Sequence, residues 1–202
     1  SEPHVEEFMV KGDPVIVATA HRRENWGQGL RNIARATARI ADLHPRARIV
    51  FPLHPNPQVQ ETLKQEIAAR PNVLLTGPLD YQDFTAVLKR AAVVITDSGG
   101  IQEEAPSLGA HVFVTRDETE RIEGAEAGVL TIVGTDVGNI VWAVSQYLAS
   151  SIRHSELVNP YGDGRSAARI IDFLDRRLTA HSNSEGVEVV PARPSAAGTV
   201  QG

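Results

Sequence analysis

The run Thr96-Asp97-Ser98-Gly99-Gly100-Ile101-Gln102-Glu103-Glu104-Ala105-Pro106-Ser107-Leu108-Gly109 carries the densest chemistry in the chain. It follows the apolar run Ala92-Val93-Val94-Ile95, which reads as a buried parallel strand. Ser-Gly-Gly then turns the chain into a helix. Such a turn aims free backbone N–H groups and the positive end of a helix dipole at one point. The group that suits both is an anion, most simply a phosphate or diphosphate. Glu103 and Glu104 follow within about one helical turn, where a carboxylate can accept hydrogen bonds from a ribose diol. Acids favour a helix start in any case, so a plain solvated first turn explains them equally well. Pro106 argues against simple helix optimisation, because an interior proline costs about 3 kcal/mol unless the helix is short or bent.

Three further segments carry unusual polar groups. His21-Arg22-Arg23-Glu24-Asn25 offers cations and donors for a phosphate or a sugar hydroxyl, or else a packing histidine with solvated arginines. In His54-Pro55-Asn56-Pro57 the prolines fix the backbone, which suits a placed ligand contact or a turn histidine. Arg116-Asp117-Glu118-Thr119-Glu120-Arg121 reads as an ion-pair network or as ligand contacts. Phe84 has the spacing of a core residue, and an aromatic on the rim side can instead stack on a uracil ring. Asn159-Pro160-Tyr161-Gly162-Asp163-Gly164 is a run of turn formers. Ser98 lies in Asp-Ser-Gly-Gly rather than Gly-x-Ser-x-Gly, and no Gly-x-x-x-x-Gly-Lys-Ser/Thr loop is present. The histidines lack zinc-ligand spacing, so neither a metal nor another cofactor is expected.

The elements that position these groups alternate along the chain. Strands are expected at 14–20, 48–53, 73–75, 92–96, 111–115 and 129–133. Helices are expected at 29–43, 58–69, 81–91, 99–108, 136–149 and 164–178, with Asp136 as an N-cap. The strands are β-branched runs rather than strict alternations, as when both faces are covered. The fold class is therefore α/β: a doubly wound, mostly parallel Rossmann-like sheet. Residues 1–13 read as a linker or connector, 14–178 as the domain, and 179–202 as a disordered Ser/Ala/Gly/Pro-rich tail. In an open parallel sheet ligands bind beyond the carboxyl ends of the strands. The His21, His54, Asp97 and Arg116 segments each follow a strand, so all four share that rim.

Bulk properties narrow the partners. With 202 residues, 42% of them apolar, the chain is long enough for one cored domain. A net charge of −5 without a basic block disfavours nucleic acid. The absence of cysteine removes disulfides and thiolate chemistry. No apolar run is long enough to cross a bilayer and no signal-peptide pattern opens the chain, so no membrane partner and a cytoplasmic location are expected.

Ala20 to Asn25, His54 to Pro57, Thr96 to Gly109, Arg116 to Arg121 and Asn159 to Gly164, in that order, resemble the C-terminal half of the non-hydrolysing UDP-N-acetylglucosamine 2-epimerases. The resemblance covers about residues 14–178 and implies one half of a GT-B fold, two Rossmann-like domains with the active site between them. It further implies interconversion of UDP-GlcNAc and UDP-ManNAc by elimination and re-addition of UDP. On this resemblance Ser98, Gly99 and Gly100 hold the diphosphate, Glu104 the ribose hydroxyls and Phe84 the uracil side. His21 faces diphosphate and sugar as the catalytic candidate, and Arg121 lies near the cleft. Arg22 and His54 match positions of a second, activating UDP-GlcNAc site in some bacterial members. The implied partners are UDP, UDP-GlcNAc, an N-terminal Rossmann-like domain and, in the full-length enzyme, a second copy. The sequence departs from the family at Ile122, where Thr-Glu-Arg-Pro-Glu is usual, and in lacking the family's N-terminal half with its acidic residues; the chain alone is expected to be inactive. The alternatives are the donor domain of a GT-B glycosyltransferase and a stand-alone UDP-sugar-binding module.

Overall fold

Six β-branched runs form one all-parallel sheet in the computed structural model, which describes residues 3–10, 13–67, 69–150 and 159–184. The strands are β1 (Val15–Ala18), β2 (Arg48–Pro52), β3 (Val73–Thr76), β4 (Ala91–Thr96), β5 (His111–Val114) and β6 (Leu130–Ile132), in the order β3-β2-β1-β4-β5-β6. Ile16 pairs with Ile49 on one side and Val93 on the other, and Thr96 pairs with Val114. The chain leaves β1 toward β2 and β3, then returns to β1's other side with β4. The switch point of the sheet is thus the β1–β4 junction.

Two apolar layers flank the sheet because alternate residues of each strand face opposite ways. Ile16, Ala18, Ile49, Phe51, Val93 and Ile95 pack against α2 (Gln28–Leu43), α3 (Pro57–Ile67) and α7 (Val137–Ala149). Val15, Val17, Val50, Val94, Val112 and Val114 pack against α1 (Pro3–Val10), α4 (Tyr81–Leu88) and α5 (Gly99–Ser107). Asp80 and Asp136 cap α4 and α7, accepting from the Asp83 N–H at 2.8 Å and the Asn139 N–H at 2.9 Å. Pro106 lies in the last turn of α5, one residue before the helix ends, where little remains to disrupt.

Two expectations need correction, and one element is new. Residues 3–10, expected as a connector, form α1, and its Val5 and Met9 are buried beneath the sheet. The weak periodicity of so short a helix hid it, since two buried side chains suffice to dock it. A further helix, α6 (Ile122–Glu126), lies in a stretch to which the sequence assigned no element. The last helix, α8 (Ser166–Ser184), runs into the segment expected as tail; residues 185–202 lie outside the described residues.

The chain divides into two compact units at Tyr161/Gly162. In the second, Asp163 opens the approach to α8, accepting from the Arg165 N–H at 3.1 Å and from both terminal nitrogens of Arg169 at 2.8 Å. Ile170, Ile171, Phe173, Leu174 and Leu178 of α8 are all exposed. Among the described residues, no helix is long and apolar enough to cross a membrane.

Candidate functional site

The β1–β4 junction brings the two most polar turns of the chain together. Asp97, fully buried at the end of β4, accepts from the His21 N–H at 2.9 Å through Oδ1. Its Oδ2 accepts from the Arg22 N–H at 3.0 Å and from Asn25 Nδ2 at 2.9 Å. Below it the hydroxyls of Thr19 and Thr96 lie 2.7 Å apart. The segments after β1 and β4 are therefore one bonded assembly, although more than seventy residues separate them. Nothing local in the sequence reveals this role of Asp97, because its donors lie so far away along the chain.

The glycine turn has the expected form with one amendment. The Ser98 N–H donates to Thr96 Oγ1 at 3.0 Å, so that amide serves the protein itself. The N–H groups of Gly99 and Gly100 make no hydrogen bond among the described residues. Ser98, the N-cap of α5, makes no side-chain capping bond, which leaves its hydroxyl beside the two free amides. A Cβ on Gly99 would stand 3.3 Å from the Arg121 guanidinium, whereas one on Gly100 would meet nothing within 4 Å. Gly99 is thus the residue that lets a cation lie against the turn, a role beyond the conformational one expected.

Arg121 is held there by carboxylates. Its Nε donates to Glu103 Oε1 at 2.9 Å, and its NH1 lies 3.1 Å from Glu120 Oε1. Arg116 pairs with Glu120 at 2.7 Å and reaches Glu24 at 3.7 Å; Arg22 reaches Glu24 at 3.3 Å and Glu120 at 3.6 Å. The ion-pair reading of residues 116–121 thus holds, and the network fixes the Arg121 guanidinium beside Gly99. A backbone hydrogen bond and then Arg116 hold Glu120 below the usual carboxylate range. Underneath, the buried Gln102 accepts from Thr119 Oγ1, and that hydroxyl accepts from the Arg121 N–H at 3.2 Å, pinning the arginine loop to α5. Glu104 is exposed and has no partner among the described residues.

A cleft of about 330 Å³ opens on the same rim between the ends of β1 and β2 and α4. His21, Leu53, His54, Leu79, Tyr81 and Phe84 line it. Phe84 is half buried, packed against the core as its spacing suggests, and it also lines the cleft. The His21 and His54 rings meet edge to face at 5.9 Å. His54 Nδ1 accepts from the Asn56 N–H at 3.1 Å, which places the ring proton on Nε2. His21 is exposed at the rim, yet the concave wall strips enough water to lower its pKa; Asp97 opposes that shift and His54 adds to it. Neutral imidazole is thereby favoured in the free protein.

Tyr161 closes the far side of the arginine loop. Its hydroxyl, buried without a partner among the described residues, lies over Gly124 of α6. Burial, with the charges of Glu123 and Glu103, pushes its pKa up to about 12. Among the described residues no group of three or more His, Asp or Glu side chains is placed to hold a metal.

Strand order and the glycine-opened helix at the switch point define a Rossmann-like domain. The family model for UDP-N-acetylglucosamine 2-epimerase matches residues 2–175. Two enzymes of that name, from Yersinia pestis and Escherichia coli K12, are 41% and 44% identical over 170 residues, 83% of this chain and 45% of theirs. A Staphylococcus aureus MnaA structure with UDP superposes at a TM-score of 0.82 with 37% identity, covering 89% of this chain and 50% of that one. The Neisseria meningitidis UDP-GlcNAc 2-epimerase bound to UDP-GlcNAc gives a TM-score of 0.75 with 35% identity, covering 87% and 50%. This chain belongs to the UDP-N-acetylglucosamine 2-epimerase family, and it spans about half the length of these relatives.

Proposed function

We propose that the chain is the nucleotide-sugar-binding half of a UDP-GlcNAc 2-epimerase, which interconverts UDP-GlcNAc and UDP-ManNAc by eliminating and re-adding UDP. The observation that carries this reading is the pairing of two free amides, at Gly99 and Gly100, with the Arg121 guanidinium laid against Gly99. That is a diphosphate receptor: amides give direction and the guanidinium gives charge. The Ser98 hydroxyl adds a donor, and the unpaired Glu104 takes the ribose hydroxyls. Phe84 meets the uracil in the apolar cleft. His21 stands between cleft and cradle, where it faces the diphosphate and the sugar. When UDP departs as an anion, donors already fixed in place stabilise it without reorganising. By the family resemblance Arg22 and His54 are assigned to a second, activating UDP-GlcNAc site; the His54 ring lies 5.9 Å from that of His21.

The rest of the catalytic cleft belongs to a second Rossmann-like domain, as the relatives are about twice as long. The five exposed apolar residues of α8 are the kind of surface that such a partner covers.

Titration calorimetry tests the binding reading. The chain binds UDP and UDP-GlcNAc, and Gly99→Val weakens both at least about tenfold by displacing Arg121 and crowding the amides, with the fold intact because only a flexible side-chain end must move. Unchanged affinity in that variant would remove the cradle. The glycosyltransferase reading predicts a glycoside, not an epimer, once the remaining domain is supplied.

A further inference from the structure

Asp97 occupies an unusual place for a carboxylate. It is fully buried and stands one residue before a turn built for an anion, whose charge it would repel. Among the described residues no cationic side chain pairs with it; its oxygens are satisfied by the His21 and Arg22 amides and the Asn25 side chain. Burying an ion on hydrogen bonds alone is costly unless its geometry serves something. What it fixes is the segment carrying His21, held against the segment carrying Gly99 and Gly100.

We propose that Asp97 is a positioning residue for the diphosphate: it locks the His21 backbone to the glycine turn, so that imidazole and free amides meet the phosphates at one fixed spacing. The inference rests on the uridine-diphosphate-sugar reading of the site. The repulsion between Asp97 and the ligand is small because three donors already saturate the carboxylate, whereas a loose His21 segment would have to be ordered at each binding event. The same charge acts on the His21 ring: Asp97 favours imidazolium, and burial and His54 oppose it.

The test compares Asp97→Asn with the unchanged 202-residue chain. An amide has nearly the same shape, but its NH₂ must face a backbone N–H that now meets oxygen. UDP affinity, measured by calorimetry, falls at least about tenfold. Uridine affinity, followed by amide shifts in NMR, does not change, because Phe84 and Glu104 bind the nucleoside without the clamp. The His21 ring titration, read from its proton resonances, moves to lower pH. Asn25→Ala removes one donor and leaves the carboxylate; it weakens UDP to a lesser degree, and it carries the test if Asp97→Asn does not fold. Equal losses for UDP and uridine overturn the proposal, since they mark a merely structural role. Unchanged UDP affinity in either variant overturns it as well. If the unchanged chain binds neither UDP nor uridine, the site reading fails and this inference with it; if the unchanged chain binds UDP and the substitutions leave that affinity unaltered, the inference alone fails.

Discussion

Gly124 shows how one missing methyl group can hold a loop in place. A Cβ at this position would overlap the Tyr161 hydroxyl and stand 2.7 Å from Leu130 Cδ1. Alanine normally favours a helix over glycine by about 1 kcal/mol, but here steric overlap decides the sign. Gly124→Ala should destabilise the chain by about 1–3 kcal/mol in urea, and Tyr161→Phe in the same chain should recover part of the loss by removing the overlapping oxygen. Tyr161 also sets an alkaline limit. Burial pushes its pKa up to about 12 from the ordinary 10.0 of tyrosine, so the folded state favours the neutral phenol. That contribution is complete below pH 10 and is lost as pH rises toward 12. Tyr161→Phe should flatten the stability curve across that window.

At the scale of elements, the departure at Ile122 has a physical reading. Ile122 is the first residue of α6, 60% exposed, and its N–H is not required by the helix. Proline suits that position, and Arg121 before it is already outside the helical region, at φ −79° and ψ 60°. Isoleucine thus leaves Arg121 in place, because Glu103, Glu120 and the Thr119 hydroxyl hold it. Ile122→Pro should raise stability by about 0.4–1 kcal/mol through the unfolded chain, with UDP affinity unchanged in calorimetry. A loss of affinity would show that backbone freedom at residue 122 matters for how Arg121 is presented.

At the scale of the molecule, the proposed function predicts binding without turnover. On that proposal the amides and guanidinium of this chain stabilise a departing diphosphate, and the acid and base groups that move the C2 proton belong to the remaining domain. The purified chain should therefore leave UDP-GlcNAc unchanged in product analysis by NMR. Adding the N-terminal domain of a close relative should restore some formation of UDP-ManNAc. Epimerisation by the chain alone would overturn the half-cleft reading.

The alternation of β-branched runs with amphipathic helices was enough to identify a doubly wound sheet, and topology then placed the His21, His54, Asp97 and Arg116 segments on one rim. Those properties are local: strand type, helix period and the turn chemistry of Ser98-Gly99-Gly100 depend on near neighbours in sequence. The Asp136 cap was legible for the same reason. Partnerships across the sheet were not legible. Asp97 with His21, Gln102 with Thr119 and Tyr161 over Gly124 are contacts between distant segments, and no periodicity encodes which donor meets which acceptor. α1 escaped notice because Val5 and Met9 acquire a meaning only against the sheet they dock on. Residue types and spacing determined the fold class. Tertiary packing alone decided which amides stay free and which cation lies beside them, because burial and pairing are properties of the assembled chain.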